Sequence, residues 1–237
     1  MTIGGVLLAR VNNRRVVVEA LAALPDFSDL EPDLLDSLAG EVLFRRFEAD
    51  QVVFLEGESS SGLFVVDQGW LKAVKIAESG REQVMRILGP GETFSELSLF
   101  VATPSPATVV ALEASSLWLV PREAALAMME EHPPLMRALT QTLARRVLYL
   151  LNLVEDLSLR TVEARLARYL LEHAVDDVVH RRRWHTQAEL AAQLGTVPDV
   201  LGRALSNLSE SALVRVERRR ILILNRSGLT AKAELSR

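Results

Sequence analysis

Thr186-Gln187-Ala188-Glu189-Leu190-Ala191-Ala192-Gln193-Leu194-Gly195-Thr196-Val197-Pro198-Asp199-Val200-Leu201-Gly202-Arg203-Ala204-Leu205 is the stretch whose reading settles the fold. Thr186 and Glu189 have the spacing of a capping box, in which the threonine hydroxyl accepts from the Glu189 amide and the glutamate carboxylate returns to the Thr186 amide. The box predicts a short helix from Gln187 to Gln193. Gly195 supplies the tight turn that ends it, Thr196 is placed to cap a second helix, and Pro198 falls in that helix's first turn, where a missing N–H costs nothing. Leu190, Ala191 and Leu194 face Val200, Leu201, Ala204, Leu205 and Leu208, the small and apolar contacts a helix-turn-helix needs. Asp199, Gly202, Arg203 and Asn207 point outward.

Beyond it, Leu213-Val214-Arg215-Val216 and Ile221-Leu222-Ile223-Leu224 flank Glu217-Arg218-Arg219-Arg220 as a β-hairpin with a basic tip, so the module reads as a winged helix-turn-helix. Such a module sets its second helix in the major groove, where an arginine bonds guanine O6 and N7 and a carboxylate accepts from cytosine N4. Arg203 and Asp199 are the expected base readers, with Gly202 and Pro198 on the same face. Thr186, Gln187, Arg218 and Arg219 are expected at phosphates, which position the protein without specifying sequence. Double-stranded DNA is thus the expected partner.

Toward the N-terminus, Met136, Leu139, Leu143, Val147, Leu150, Val154 and Leu157 recur at steps of three or four after Pro133-Pro134. This is one helix of about six turns, and its apolar stripe suits a coiled-coil pair and hence a homodimer, the alternative being a helix packed on its own β domain. A second amphipathic helix follows, with Val162, Leu166, Tyr169 and Leu170 on one face. From Val42 to Leu119 the pattern changes to short apolar runs punctuated by glycine: Val52 to Leu55, Leu63 to Val66, Leu71 to Ile76 and Val84 to Leu88. That spacing indicates an all-β barrel, roll or sandwich, with Gly69 and Gly80 at hairpin turns that need positive φ.

The 237 residues, 49% of them apolar, suffice for one large or two small domains, and the absence of cysteine excludes disulfides and thiolate-held clusters. The overall charge of −4 hides a split. Residues 1–157 carry 13 Lys and Arg against 22 Asp and Glu, whereas residues 158–237 carry 14 against 9, including the triplets Arg181-Arg182-Arg183 and Arg218-Arg219-Arg220. A basic tail suggests a polyanion partner. No apolar run spans a bilayer and no signal peptide is recognisable, so a cytoplasmic protein without a membrane partner is expected.

The order of β domain, long helix and winged helix-turn-helix resembles the CRP/FNR family of bacterial transcription regulators over about residues 27–230. The likeness is carried by Leu55-Glu56-Gly57-Glu58, Val66-Asp67-Gln68-Gly69, Leu88-Gly89-Pro90-Gly91-Glu92-Thr93-Phe94, Glu96-Leu97-Ser98-Leu99-Phe100 and Glu189-Leu190-Ala191-Ala192-Gln193-Leu194-Gly195. It implies an α+β chain: an extension over 1–24, a cyclic-nucleotide-binding-like double-stranded β-helix or jelly roll over 25–132, a dimerisation helix over 133–158 and a winged helix-turn-helix over 159–237. It also implies a homodimer on an inverted-repeat operator, with RNA polymerase as a further partner through a surface loop such as Thr103-Pro104-Ser105-Pro106.

The effector pocket implied by the resemblance comprises Ser95, Glu96, Leu97, Ala107, Thr108, Leu150 and Leu151, and it departs from the cyclic-AMP-binding pattern. Ser95 stands where such members have glycine, Pro106 where they have the phosphate arginine, and Leu150-Leu151 where they have hydroxyls facing the base; Glu96 is kept. A buried anion without its arginine is a defect of several kcal/mol, so cyclic AMP is not expected as effector. The pocket takes another small molecule or none. All four histidines follow Glu131 and there is no cysteine, so neither haem, iron–sulfur nor another metal site is expected, and Met85, Met128 and Met129 read as core. A loop is expected around Asp176-Asp177, with His173 and His180 solvated. No P-loop, HExxH or nucleophile–His–acid set suggests an enzyme. The competing reading is a small-molecule-binding module that acts through protein partners without specific DNA binding. Val16 to Leu24 is expected as a helix against the roll, with disorder before it.

Overall fold

The computed structural model describes residues 9–10, 14–23, 27–28, 30–101 and 103–234. The chain divides into two compact units, Met1–Lys75 with Met85–Val147, and Ile76–Val84 with Leu148–Arg237. The expected disorder of the first dozen residues falls largely outside the described part, as does Leu24.

In chain order the elements are β1 (Ala9–Arg10), α1 (Arg14–Ala22), α2 (Pro32–Glu41), β2 (Leu43–Phe47), β3 (Val52–Phe54), β4 (Gly62–Gln68), β5 (Leu71–Ile76), β6 (Glu82–Leu88), β7 (Thr93–Phe94), α3 (Leu97–Phe100), β8 (Thr108–Ala111), β9 (Ser115–Pro121), α4 (Arg122–Glu131), α5 (Pro133–Leu159), α6 (Val162–His173), β10 (Val178–His180), α7 (Gln187–Gln193), α8 (Pro198–Glu210), β11 (Val214–Val216), β12 (Arg220–Ile223) and α9 (Arg226–Ala233). The β strands of the first unit form a five-stranded sheet in the order β1-β2-β9-β4-β7 and a four-stranded sheet in the order β3-β8-β5-β6.

Strand periodicity explains how the roll is filled. Side chains alternate faces along β4 and β9, and both faces are buried, so these strands read as unbroken apolar runs. Leu63 and Val65 of β4 lie opposite Val120 and Trp118 of β9 and join Leu34, Leu38, Leu135 and Leu139 of the helices in one core. Their neighbours Phe64 and Val66, opposite Leu119 and Leu117, face the interior with Leu71, Leu88 and Ala111. There Phe64 stacks on Phe94 at 5.0 Å between centroids and Phe54 leans on both. Gly69 and Gly80 have φ of 87° and 78°, as their hairpins require.

In the second unit Leu166 and Leu170 of α6, Leu190 of α7, Leu201 and Leu208 of α8 and Ile221 of β12 share one core. The expected two-stranded wing is the β11–β12 hairpin, and it is extended by β10, giving the order β10-β12-β11. Val179 pairs with Ile221 and His180 with Arg220, so His180 sits on a strand rather than in the loop. Asp176 and Asp177 do form a tight turn, both with positive φ, and α9 closes the unit behind a cap by Asn225, which the pattern search did not find.

His185 is 7% exposed beneath this sheet, 3.2 Å from the Tyr169 hydroxyl, whose ring stacks on His173. Burial, then Arg181 and His173, push its pKa from 6.5 to about 4. Burial likewise raises that of Tyr169. The folded imidazole stays neutral while the unfolded one titrates at its ordinary value, so stability present above pH 6.5 is lost as pH falls toward 4. Urea unfolding of the chain at pH 7.5 and pH 5 is expected to show a loss of order 1–2 kcal/mol that His185→Gln abolishes; an unchanged loss in the variant would place its origin elsewhere.

Candidate nucleic-acid interface and effector pocket

Thr186 caps α7 by accepting from the Glu189 amide at 3.2 Å. The Thr186 amide, which the other half of the expected box would use, donates to the Trp184 carbonyl. Gly195 turns the chain at φ 64°, and the Thr196 amide returns to the Ala191 carbonyl. Val197, not Thr196, stands at the N-cap of α8, so that helix starts on Pro198 without a side-chain cap. The turn is fixed from behind by α6, whose buried Arg165 donates to the Leu194 carbonyl.

This geometry brings five of the expected readers together. Gln187, Pro198, Asp199, Gly202 and Arg203 line one open cleft with Ser206, which the sequence reading left out although it lies one turn beyond Gly202. The other three expected residues, Thr186, Arg218 and Arg219, line a second cleft with His185 and the triplet Arg181-Arg182-Arg183. The triplet stood out as charge in the sequence but gave no sign of its position. The pairing of β10 with β12, together with the bond from the Arg181 amide to the Arg219 carbonyl, sets it beside the wing. Arg220, the third wing arginine, is instead tied to Glu217 at 2.6 Å. One cleft, lined by Gln187 of α7 and by α8 and mixed in charge, and a second beside the wing with five arginines suit a polyanion that also presents hydrogen-bonding edges.

In the first unit Ser95 adopts φ 69°, the left-handed conformation that favours glycine, and its hydroxyl donates to Ser60 Oγ. Leu97 is exposed and Ala107 half-buried, while Thr108 is buried and accepts from the Glu56 amide at 3.0 Å. Glu96 is 5% exposed; its Oε1 accepts from Thr93 Oγ1 at 2.6 Å and from Arg146 Nη2 at 3.3 Å. Arg146 Nη2 also donates to the Thr93 carbonyl, which accepts Arg86 Nη1 at 3.0 Å, and Arg86 Nη2 pairs with Glu92 at 2.6 Å. Burial, with Arg146 nearby, holds the Arg86 guanidinium below the usual arginine range. Leu150 and Leu151 belong to the second unit and are exposed.

No Lys or Arg lies between Glu92 and Pro121, and these two arginines come from elsewhere in the chain. A signal existed for each. Arg86 shares parity with buried Val84 and Leu88 on β6, and Arg146 continues the buried series Leu135, Leu139, Thr142 on α5. The same series corrects the dimer stripe. Leu139 is 1% exposed in its own unit's core and Leu143 and Leu157 are half-buried, whereas Val147, Leu150 and Val154 are open, joined by Leu148 and Leu151.

Comparison with known proteins agrees with this architecture. Residues 44–132 match the cyclic nucleotide-binding domain family and residues 164–232 the Crp-like helix-turn-helix domain family. The chain is 29% identical over 224 residues to a CRP-like cAMP-activated global transcriptional regulator of Mycobacterium tuberculosis, covering 91% of this chain and 99% of that protein. It is 29% identical over 194 residues to the cyclic AMP receptor protein of Thermus thermophilus, covering 81% and 88%. The structure of FixK2 from Bradyrhizobium japonicum superposes with a TM-score of 0.72 over 83% of this chain and 99% of that one; at 21% identity this likeness concerns the fold. With a cyclic nucleotide-binding domain followed by a Crp-like helix-turn-helix, the chain belongs to the CRP/FNR family of transcription regulators.

Proposed function

We propose that this regulator acts, without enzymatic activity, as a homodimer that binds double-stranded DNA sequence-specifically at an inverted repeat and does not require cyclic AMP. The observation that carries the reading is the pair of clefts on the second unit. Asp199 and Arg203 flank the mixed cleft, where a carboxylate and a guanidinium can address cytosine and guanine edges. Arg181, Arg182, Arg183, Arg218 and Arg219 serve phosphates from the basic cleft. Dimerisation is supported by the exposed apolar length of α5, where Val147, Leu150, Leu151 and Val154 are each at least 44% exposed. An isologous partner would cover that stripe with its own. The loop Thr103-Pro104-Ser105-Pro106, held by the bond from the Ser105 amide to Glu58, is the surface offered to RNA polymerase.

The pocket reading rests on charge. The two relatives named for cyclic AMP would suggest that effector. Here Arg86 and Arg146 already engage Glu92, Glu96 and the Thr93 carbonyl, two positive charges against two negative, and Pro106 supplies none. A phosphate entering beside Glu96 meets a buried carboxylate whose neighbouring cations, Arg86 and Arg146, are already engaged.

Selection from a random duplex library near physiological salt, with no effector added, is expected to enrich one two-fold-symmetric site. Recovery of no site would favour the competing module that works through protein partners. On the selected operator Arg203→Ala is expected to cost roughly 1–3 kcal/mol and relax one base pair. Replacing Arg218 and Arg219 together should lower the log–log salt slope by up to about 1.8 while leaving sequence preference intact. Val154→Glu is expected to shift the chain toward monomer in sedimentation. Cyclic AMP is expected to leave operator affinity within about twofold, under 0.5 kcal/mol; a tenfold gain would overturn the charge argument.

A further inference from the structure

Gly202 is the residue on α8 most in need of an explanation. It lies in a helix interior, where glycine is less favourable than alanine. Its φ is not in the left-handed region, so no backbone demand selects it. What selects it is space. A Cβ on Gly202 would stand 2.9 Å from Gln187 Nε2, so the end of the Gln187 side chain would have to shift to make room. That same Nε2 donates to the Pro198 carbonyl at 3.1 Å. Pro198 opens α8, so its carbonyl is the acceptor that the Gly202 amide uses four residues on. Gln187 opens α7. A single side chain therefore ties the first turn of one helix to the first turn of the next, in a space that a Cβ at residue 202 would force its amide to leave.

We infer that Gln187 is a positioning residue: its amide clamps the first turn of α8 to α7 and so sets the angle at which Asp199 and Arg203 are presented. The sequence reading placed Gln187 at a phosphate and Gly202 at the base edges. The clamp gives both residues one different task. Gln187 spends a donor on the Pro198 carbonyl, and Gly202 makes room for it. Asp199 and Arg203 flank Pro198 and Gly202 in sequence, so a shift of that turn moves both readers at once. The inference rests on the reading of α8 as the helix that meets DNA.

A double-mutant cycle separates the clamp from that reading. Wild type, Gln187→Ala, Gly202→Ala and the double variant are compared in the full chain by urea unfolding and by binding to the selected operator. In unfolding, Gly202→Ala is expected to stabilise the Gln187→Ala background, where alanine only improves the helix, and to lose that gain in wild type, where it strikes the Gln187 amide. In binding, each single variant is expected to lose about tenfold in affinity, and Gly202→Ala to cost less than about twofold once Gln187 is gone. The more conservative Gln187→Met, which keeps the length and removes the donor, should behave like Gln187→Ala in binding while unfolding as a cooperative, folded chain. Additive effects of residues 187 and 202 in unfolding would overturn the clamp. Coupling in unfolding with additive effects in binding would keep the bond and overturn its role in presenting the readers. Coupling in unfolding with no operator selected by wild type would overturn the positioning role by removing the DNA reading on which it rests.

Discussion

A buried guanidinium holds the helix-turn-helix together. Arg165 is 5% exposed on α6 and donates to the carbonyl of Leu194, the last acceptor of α7 before the chain turns at Gly195. A helix C-terminus leaves its final carbonyls unpaired and carries partial negative charge, so a cation placed there satisfies both needs. The turn has no slack around it, because a Cβ at Gly195 would lie 3.1 Å from the same guanidinium and closer still to Leu157. The direction of α8, and with it the mixed cleft, follows from where α7 is made to stop. An apolar residue at 165 would fill the volume yet leave that carbonyl in a dry environment without its donor.

The first unit solves another problem by a related means. Its strands β4 and β9 are buried on both faces, which makes the sheet a wall shared by two apolar cores. Polar groups at the end of that wall must satisfy one another. Thr93, Glu96, Arg86 and Arg146 do so around one carbonyl oxygen that accepts from two guanidiniums. Low local dielectric strengthens such bonds and makes any unpaired member expensive. A network of this kind fixes β7 to the start of the exposed half of α5.

The fold was legible where the chain repeats a period. The glycine-punctuated runs give the roll, the steps of three and four give α5 and α6, and the 186–205 stretch gives α7 and α8. Short elements escaped. β10 has three residues and no alternation to see, and α9 carries glycine at position 228 and a weak apolar face, so its position is set by packing against α6. Caps were half legible. Thr186 works as its spacing implies, but its own amide goes to the nearby Trp184 carbonyl, and Val197, one residue past Thr196, takes the N-cap of α8. The candidate interface was readable where its residues are contiguous in sequence. Arg181 to Arg183 join it only through sheet pairing, and Arg86 and Arg146 meet Glu96 only through the tertiary fold, which no linear motif encodes. Leu139 shows the opposite error: a helical stripe records which positions are apolar, and not whether a given one is spent on the chain's own core.

Ser95 carries a different lesson. Its backbone is left-handed at φ 69° although serine gains nothing from that conformation. The shape is therefore imposed by neighbours: the hydroxyls of Ser60 and Ser98, and Glu96 anchored to α5. The turn is held by contacts around residue 95 and not by the residue's own backbone preference. Replacing Ser95 by glycine would remove the cost of that conformation without redrawing the turn.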